Sequence, residues 1–339
     1  MKNGLSFVTA ADEGFHQGLE VLLKSFVVAN RALAPLQLMV MDCGLTADFV
    51  ATLQQKMTEF GEAQGVELTL EVKIADLSRW QGFPPHWDSY AAYAFMEALH
   101  MVETRFLVFA DADMLHYKNL ESTVQALDES GRMVAGVVDS DYKTLAHDFY
   151  VNHLSPLEES QEALPYLNSG YLIFDRSRFL FAELDQFIAS VSREKAHERF
   201  KGVKKFKHDQ TLINAFIKGD CHVLDESFNY FCKENQRFVS LGEPCNFHFV
   251  SNPKPWEPGT AETIGREVVF KTAEHVLCGA GAPLEMEMSG LDRGKMGLLK
   301  TCYTILGKAK KAKRYRQAEI SPQELHHLAQ QITSWSKSE

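Results

Sequence analysis

The sequence predicts an α/β fold in which helices cover both faces of a mainly parallel central sheet. Short apolar segments alternate with amphipathic ones, beginning with a strand at 4–10 and a helix at 16–30. A strand at 36–44, a helix at 46–60 and a strand at 67–74 continue the pattern. This alternation is typical of parallel strands joined by crossover helices.

The following segments extend this pattern toward the C-terminus. A helix at 90–102 leads into an apolar run at 106–110, which reads as a strand buried on both faces. Another strand leads to Asp139, a turn opens into a strand at 171–174, and a helix begins near 208. Because ligands bind outside the carboxyl ends of strands in such sheets, we expect the site at that edge.

The chain divides into a domain at 1–259 and a helical, partly basic extension at 260–339. The division follows an aromatic, proline-marked loop near Trp256. Nine basic and no acidic residues lie between Arg293 and Ala318, although the net charge of the chain is −10. Together with nearby apolar residues, this pattern predicts peripheral contact of 293–318 with an anionic membrane. A solvated run of charges is the alternative.

Composition excludes several classes of protein. At 339 residues and 45% hydrophobic content, the chain can bury a large core. Its acidic body argues against nucleic-acid binding. The sequence shows no membrane span and no secretory signal, so we expect a cytoplasmic protein that could act at the inner face of the cell membrane. Six cysteines without Cys-x-x-Cys spacing give no support for a zinc ribbon.

Two aspartates, Asp111 and Asp113, follow the most apolar strand. Alternation along a strand, or a turn at its end, could bring both carboxylates to one hard cation. Taken alone, Asp-x-Asp is a weak motif, because aspartate is also common where a strand ends in solvent. The pair therefore predicts a metal site only in combination with other segments.

Four segments together resemble the retaining glycosyltransferases of family 8, which include glycogenin and lipopolysaccharide galactosyltransferases. They are FVTAADEGF, FADADML, YLNSGYLIFD with HDQTLIN, and HFVSNPKPW. The resemblance implies a GT-A fold, which is a Rossmann-like α/β fold. It also implies a manganese site formed by Asp111, Asp113 and His248. Two carboxylates and an imidazole suit Mn²⁺, and Mg²⁺ is a possible substitute.

The resemblance further implies a UDP-sugar as donor. Asp12 corresponds to the uracil contact, with Ala10 and Ala11 beside the base, and a carboxylate can accept the N3 hydrogen of uracil. The alternative for Asp12 is that it caps the following helix. Ala112 accompanies the aspartate pair at the donor, and Lys254 corresponds to a lysine that contacts the diphosphate.

Five residues are implied to surround the transferred hexose. Asp139, Asn168 and Ser169 would bind the sugar, since carboxylate and amide oxygens accept hydrogen bonds from hydroxyl groups. Gln210 corresponds to the residue nearest the anomeric carbon, with Asp209 as the carboxylate alternative. Because an amide is a poor nucleophile, we favour substitution on the front face with Gln210 stabilising charge.

The resulting hypothesis is a bacterial hexosyltransferase of lipopolysaccharide or capsule synthesis. It would move galactose or glucose from a UDP-hexose to an oligosaccharide or a lipid-linked glycan. Ala92 stands where related chains often carry a cation, and Lys207 could supply the missing charge. A non-catalytic nucleotide-sugar or glycan-binding protein is one alternative. A nucleotidyltransferase is another, but the chain lacks a glycine-rich triphosphate loop with a signature lysine.

Overall fold

The computed structural model describes most of the chain, namely residues 2–85, 89–193, 208–232, 246–250, 252–257, 264–279, 330–332 and 334–336. Two compact units divide these residues. The first contains the described residues up to His16 together with 30–112 and 119–229. The second contains 17–29, 113–118 and the described residues from Tyr230 onward. The basic segment 293–318 and Lys207 lie outside the described residues.

The elements of regular structure follow the predicted alternation. The described strands are β1 (Lys2–Ala11), β2 (Leu36–Asp42), β3 (Leu68–Ile74), β4 (Thr104–Ala110), β5 (Met114–Leu115), β6 (Val134–Val138), β7 (Leu167–Asp175), β8 (Cys221–Leu224), β9 (Tyr230–Phe231) and β10 (Phe247–His248). The described α-helices are α1 (His16–Asn30), α2 (Ala47–Gln64), α3 (Ala94–Met101), α4 (Glu121–Ser130), α5 (Phe149–Leu154), α6 (Glu159–Glu162), α7 (Phe181–Arg193), α8 (His208–Ile217) and α9 (Ile264–Cys278). Residues 330–332 and 334–336 are also helical.

A seven-stranded sheet forms the centre of the first unit, in the order β3-β2-β1-β4-β7-β6-β8. Strand β7 runs antiparallel to β4 and β6, whereas every other neighbouring pair is parallel. The prediction of a mainly parallel sheet is therefore confirmed. The carboxyl ends of β1, β2, β4 and β6 share one edge, which is where a ligand is expected to bind.

Strand β4 ends at Ala110, as the apolar run predicts, and a turn at Ala112 and Asp113 follows it. Strand β7 begins at Leu167, although the sequence predicted a turn before 171. Backbone pairing with β6 extends it, and the register shifts between the pairs Gly136–Leu172 and Val138–Leu167. Such an irregularity changes the direction of side chains.

An aromatic cluster anchors the strand that leads to the aspartates. Phe95 of α3 stacks on Phe109 of β4, with ring centroids 4.7 Å apart. Trp80 stacks on Tyr93 at 4.8 Å, and both side chains are fully buried. Aromatic pairs bury a large apolar area and prefer particular ring geometries. This cluster therefore stabilises the end of β4 on one face of the sheet.

A three-stranded sheet in the order β5-β10-β9 belongs to the second unit. Helix α9 packs Phe270 against Phe249 and Trp256, with ring centroids 6.0 and 5.2 Å away. Trp335 lies 4.4 Å from Tyr117, so a helical turn near the C-terminus packs within this unit as well. Within the described part of the chain, no helix has the length and apolarity that a bilayer crossing requires.

A buried carboxylate, Asp175 at the end of β7, links two arginines. Its Oδ2 accepts hydrogen bonds from Arg105 and Arg178, each at 2.8 Å. Its Oδ1 accepts one from the hydroxyl of Ser177 at 2.6 Å. Burial by itself raises the pKa of Asp175, but the hydrogen bonds from Arg105 and Ser177 outweigh burial and lower it. The charged carboxylate therefore stabilises the folded state.

We expect Asp175→Asn to lower the free energy of unfolding by about 1.5–3 kcal/mol, because two partly exposed arginines lose the buried carboxylate that accepts their hydrogen bonds and keep only the exposed Asp128. Because the pKa is lowered in the folded state, the contribution is present above about pH 4 and is lost as the pH falls below it. Urea unfolding at pH 7 and at lower pH measures both effects. The control Asp220→Asn removes an exposed pair with Arg132 and should cost less than about 1 kcal/mol. Equal losses in the two variants would contradict the prediction.

Candidate active site

Backbone pairing beyond the end of β4 brings Asp113 and His248 together. Met114 of β5 pairs with His248 of β10 in an antiparallel register. The amide of Phe249 donates to the carbonyl of Asp113 at 2.9 Å. Oδ1 of Asn246 accepts hydrogen bonds from the backbone amides of Tyr117 and Lys118, each at 2.8 Å. These bonds hold the residue that directly precedes β10. Residues distant in sequence thus become neighbours through a short sheet.

The three predicted metal ligands form one group. One ligand atom from each of Asp111, Asp113 and His248 lies within 4.8 Å of the other two. Carboxylate oxygens with one imidazole nitrogen form a donor set that fits Mn²⁺ or Mg²⁺ better than a soft metal. Asp113 and His248 are buried, and Asp111 is partly exposed, so the group has one side open to solvent. These residues can therefore hold a hard divalent cation.

Asp113 also pairs with two nitrogen-bearing side chains. Its Oδ1 lies 3.2 Å from Nε2 of His248, and its Oδ2 accepts a hydrogen bond from Nζ of Lys254 at 2.5 Å. Burial raises the pKa of Asp113, but the imidazole and the ammonium outweigh burial and hold the pKa well below its usual range. The carboxylate is thus kept charged, as a metal ligand must be.

The loop that carries Lys254 is held by helix α9. Nζ of Lys254 donates to the carbonyl of Phe249 at 3.2 Å. The guanidinium of Arg266 donates to the carbonyls of Phe249 and Pro253 at 3.4 and 3.1 Å. Arg266 is buried, so these bonds form away from most of the solvent. A residue of α9, outside the segment HFVSNPKPW, therefore supports the loop that carries Lys254.

A second group of polar side chains lies where β7 meets α8. The amide oxygen of Gln210 accepts from Nδ2 of Asn168 at 2.9 Å and from the amide of Ser169 at 3.2 Å. Oδ2 of Asp139 accepts from Nδ2 of Asn168 at 3.1 Å and from Nε2 of Gln210 at 3.2 Å. The structure thus brings four predicted sugar-site residues into one hydrogen-bonded network.

Asp209, the fifth predicted residue, lies beside this network and is buried. Burial is the largest influence on its carboxyl group and raises the pKa, a hydrogen bond with Ser169 lowers it, and the charge of Asp111 raises it, which together give a pKa of about 7. Asp209 and Asp111 therefore interact electrostatically. A bound cation at Asp111 would weaken that repulsion.

The comparison with known families decides the class of protein. The family model described as glycosyl transferase family 8 matches residues 7–259. The chain belongs to this family. No curated protein matches it significantly.

Solved structures agree with a family 8 fold. The galactosyltransferase LgtC, in complex with donor and acceptor sugar analogues, is 17% identical at a TM-score of 0.59. That match covers 86% of this chain and 99% of LgtC. An active-site mutant of LgtC matches with the same identity and TM-score over 83% of this chain and 98% of the other. The bifunctional glycosyltransferase WbbM in its apo form is 14% identical at a TM-score of 0.56, over 77% of this chain and 48% of that chain. At such identities the likeness establishes the GT-A fold.

The residues predicted to contact the nucleotide in this family 8 chain lie at the carboxyl end of β1 and directly after it. Ala10 and Ala11 end β1. The carboxylate of Asp12 accepts a hydrogen bond from the backbone amide of Gly14 at 3.0 Å. Asp12 thereby caps the 3₁₀ turn Glu13–Phe15, in agreement with the alternative prediction that it is a helix cap. The cap does not test the uracil contact, because a carboxylate has acceptor positions besides the one used here. Ala92 lies in a 3₁₀ turn at Ala91–Tyr93.

Three supporting residues were missed by sequence reasoning. Oδ1 of Asn214 accepts a hydrogen bond from the backbone amide of Leu167 at 2.8 Å. Its Nδ2 donates to the backbone carbonyls of Leu167 and Gln210, also at 2.8 Å. Asn229 donates to Oδ1 of Asn168 at 2.7 Å. Arg266 holds the lysine loop, as described above. Each is a single polar residue without a recognisable spacing, so only its burial in the fold reveals its role.

Proposed function

We propose that this family 8 glycosyltransferase moves a hexose, galactose or glucose, from UDP to an oligosaccharide or lipid-linked glycan, with retention of configuration and dependence on Mn²⁺. The observation that carries the proposal is the group of Asp111, Asp113 and His248, whose ligand atoms lie within 4.8 Å of one another. LgtC, a galactosyltransferase crystallised with donor and acceptor sugar analogues, supports it by analogy.

The metal ligands and Lys254 would share the task of holding the diphosphate. A divalent ion, when bound, supplies positive charge that stabilises a departing diphosphate. Asp111, Asp113 and His248 would orient that ion, and Asp113 also places Nζ of Lys254 at 2.5 Å from its own oxygen. The ammonium would add a mobile charge for phosphate oxygens, which suits a leaving group that gains charge. Asp12 would accept the N3 hydrogen of uracil.

The network around Gln210 would orient the hexose. Its neutral amide cannot act as a good nucleophile, which favours departure of UDP and attack of the acceptor hydroxyl on the same face. Asp139, Asn168 and Ser169 would fix the sugar through the network, and Asp209 would offer a second carboxyl group. A mutated active-site glutamine in the LgtC structure is consistent with a glutamine near the reacting sugar.

Two further parts of the proposal concern the acceptor and the place of action. A lipid-linked acceptor of lipopolysaccharide or capsule type would lie at a membrane surface. The cluster of cations at 293–318 would attract anionic headgroups to that surface without spanning the bilayer. Full-length protein and a variant with these lysines and arginines replaced by glutamine allow this contact to be compared on anionic vesicles.

The deciding experiment is a screen of UDP-hexoses for hydrolysis and for transfer to glycans, with and without Mn²⁺. We expect release of UDP from UDP-galactose or UDP-glucose only when Mn²⁺ is present, and an α-anomeric product from an α-linked donor. Binding of UDP-sugar without any turnover would instead favour the non-catalytic alternative. Release of pyrophosphate from UTP and a sugar phosphate would identify a nucleotidyltransferase.

Lys254→Ala should weaken UDP binding in the presence of Mn²⁺ by about 10- to 100-fold, because a charge-assisted hydrogen bond contributes about 1.5–3 kcal/mol. Calorimetry at low and high salt measures this loss. Lys56→Ala is the matched control, since Lys56 lies exposed on α2, and it should bind UDP as the wild type does. Unchanged UDP affinity in Lys254→Ala would remove this lysine from the diphosphate site.

A further inference from the structure

The orientation of the Gln210 amide is fixed by donors whose identity is unambiguous. The backbone amide of Ser169 can only donate, so the Gln210 atom 3.2 Å away must be the oxygen. The backbone amide of Gly170 likewise donates to Asn168 at 3.0 Å, which identifies Oδ1 of that side chain. Nδ2 of Asn168 then faces Gln210, where it meets the oxygen at 2.9 Å. The two assignments agree.

Asn168 uses all four of its hydrogen-bonding positions within the protein. Its two Nδ2 hydrogens reach Asp139 and Gln210, and its Oδ1 accepts from Gly170 and from Nδ2 of Asn229 at 2.7 Å. A sugar hydroxyl could bind this side chain only by displacing one of these partners. Asn229 thus helps to fix the orientation of the Asn168 amide, and Asn168 in turn helps to fix that of the Gln210 amide.

The position of Asn229 suits this task. It ends a 3₁₀ turn at Glu226–Asn229 and is only 4% exposed. The hydrogen bond from Nδ2 of Asn229 to Oδ1 of Asn168 is among the shortest in the network. It keeps Oδ1 on the side of the Asn168 amide opposite to Asp139 and Gln210, which Nδ2 of Asn168 contacts. Reversal of the Asn168 amide would direct its oxygen at the Gln210 oxygen and the Asp139 carboxylate, and three acceptors would then face one another.

We propose that Asn229 is a positioning residue, which holds the amide of Asn168 so that Asn168 in turn presents the nitrogen of Gln210 toward Asp139. The catalytic consequence rests on the function proposed above, in which Gln210 faces the reacting sugar. The hydrogen-bond relay itself is a property of the fold. Asn229 touches neither sugar nor diphosphate in this scheme and acts through Asn168.

Two variants of similar volume separate positioning from packing. Asn229→Leu fills the same space without a donor, and Asn229→Asp places an acceptor opposite Oδ1 of Asn168. We expect kcat for UDP-hexose turnover at pH 8 to fall about 10-fold in the first and about 100-fold in the second, in the range of lost supporting hydrogen bonds. The KM for the donor should change less than about twofold, because the diphosphate contacts remain.

The matched control is Asn152→Asp, which makes the same chemical change on an exposed turn of α5. Oδ1 of Asn152 accepts the amide of Leu157 at 2.9 Å, and an aspartate can accept the same bond. We expect wild-type kcat and melting temperature in this variant. Wild-type kcat in Asn229→Leu would show that only the volume of Asn229 matters and would overturn the proposal.

A spectroscopic readout tests the relay whether or not the proposed function is correct. The side-chain amide resonances of Gln210 can be assigned in ¹⁵N-glutamine-labelled protein by their loss in Gln210→Glu. We expect them to move in both Asn229 variants and to stay in place in Asn152→Asp. Unmoved Gln210 resonances would refute the relay even in an active enzyme. Moved resonances in a protein without UDP-hexose turnover would support the relay and contradict the proposed function.

Discussion

Replacing Asp113 with asparagine is expected to lower kcat/KM for UDP-hexose turnover by about 10³-fold or more. Loss of one metal ligand removes several kcal/mol of charge stabilisation, and each 1.36 kcal/mol corresponds to about a tenfold change in rate. The substituted amide would also leave Lys254 and His248 without the carboxylate they now contact. Turnover assays and calorimetric titration of Mn²⁺ with UDP measure the two effects.

Asp48→Asn is the control for this change. Asp48 lies exposed in the first turn of α2, so its loss of charge should leave turnover and metal dependence unaltered. Thermal melting of both variants separates lost chemistry from lost folding. Retention of wild-type Mn²⁺-dependent UDP binding in Asp113→Asn would refute the assignment of this residue as a ligand.

Replacing Gln210 with glutamate should lower kcat by about 10²- to 10³-fold, which is the usual cost of losing one well-placed polar group at a reacting centre. The new carboxylate would meet Asp139, whose Oδ2 now accepts from Gln210 at 3.2 Å. Two like charges at that distance repel each other, so the side chain would leave its place. Steady-state kinetics should show a nearly unchanged KM for the donor.

Gln54→Glu on the exposed face of α2 makes the same change far from any predicted site residue in sequence. It should retain wild-type kcat. If Gln210→Glu also kept wild-type kcat, Gln210 would have no part in the reaction, and Asp209 would become the first residue to test.

Periodic patterns of apolar residues predicted the helices and strands of the fold. The sequence did not predict a strand boundary that depends on pairing with a neighbouring strand. The helix at 16–30 and the strand at 68–74 follow from periodicity alone. The start of β7 at Leu167 does not, because Asn168, Ser169 and Gly170 are typical turn residues. Pairing with β6 overrides that local preference. Tertiary contacts therefore set this boundary.

Prediction of the site shows the same division. Asp111, Asp113 and His248 belong to motifs that a family resemblance carries, and the structure brings them together. Asn229 and Arg266 belong to no motif, because a buried amide or guanidinium is defined by its partners and not by its neighbours in sequence. The domain division at residue 259 stays a prediction. The uracil contact of Asp12 also stays a prediction.

The bonds of Arg266 to the carbonyls of Phe249 and Pro253 bear on how this chain could be recombined with others. A chimera joined at residue 259 would take its metal ligands from one parent and the support of the Lys254 loop from another. A junction after Gly279, beyond α9, would keep that support with its own loop. Crossover points for grafting new acceptor preferences are therefore better chosen after this helix than before it.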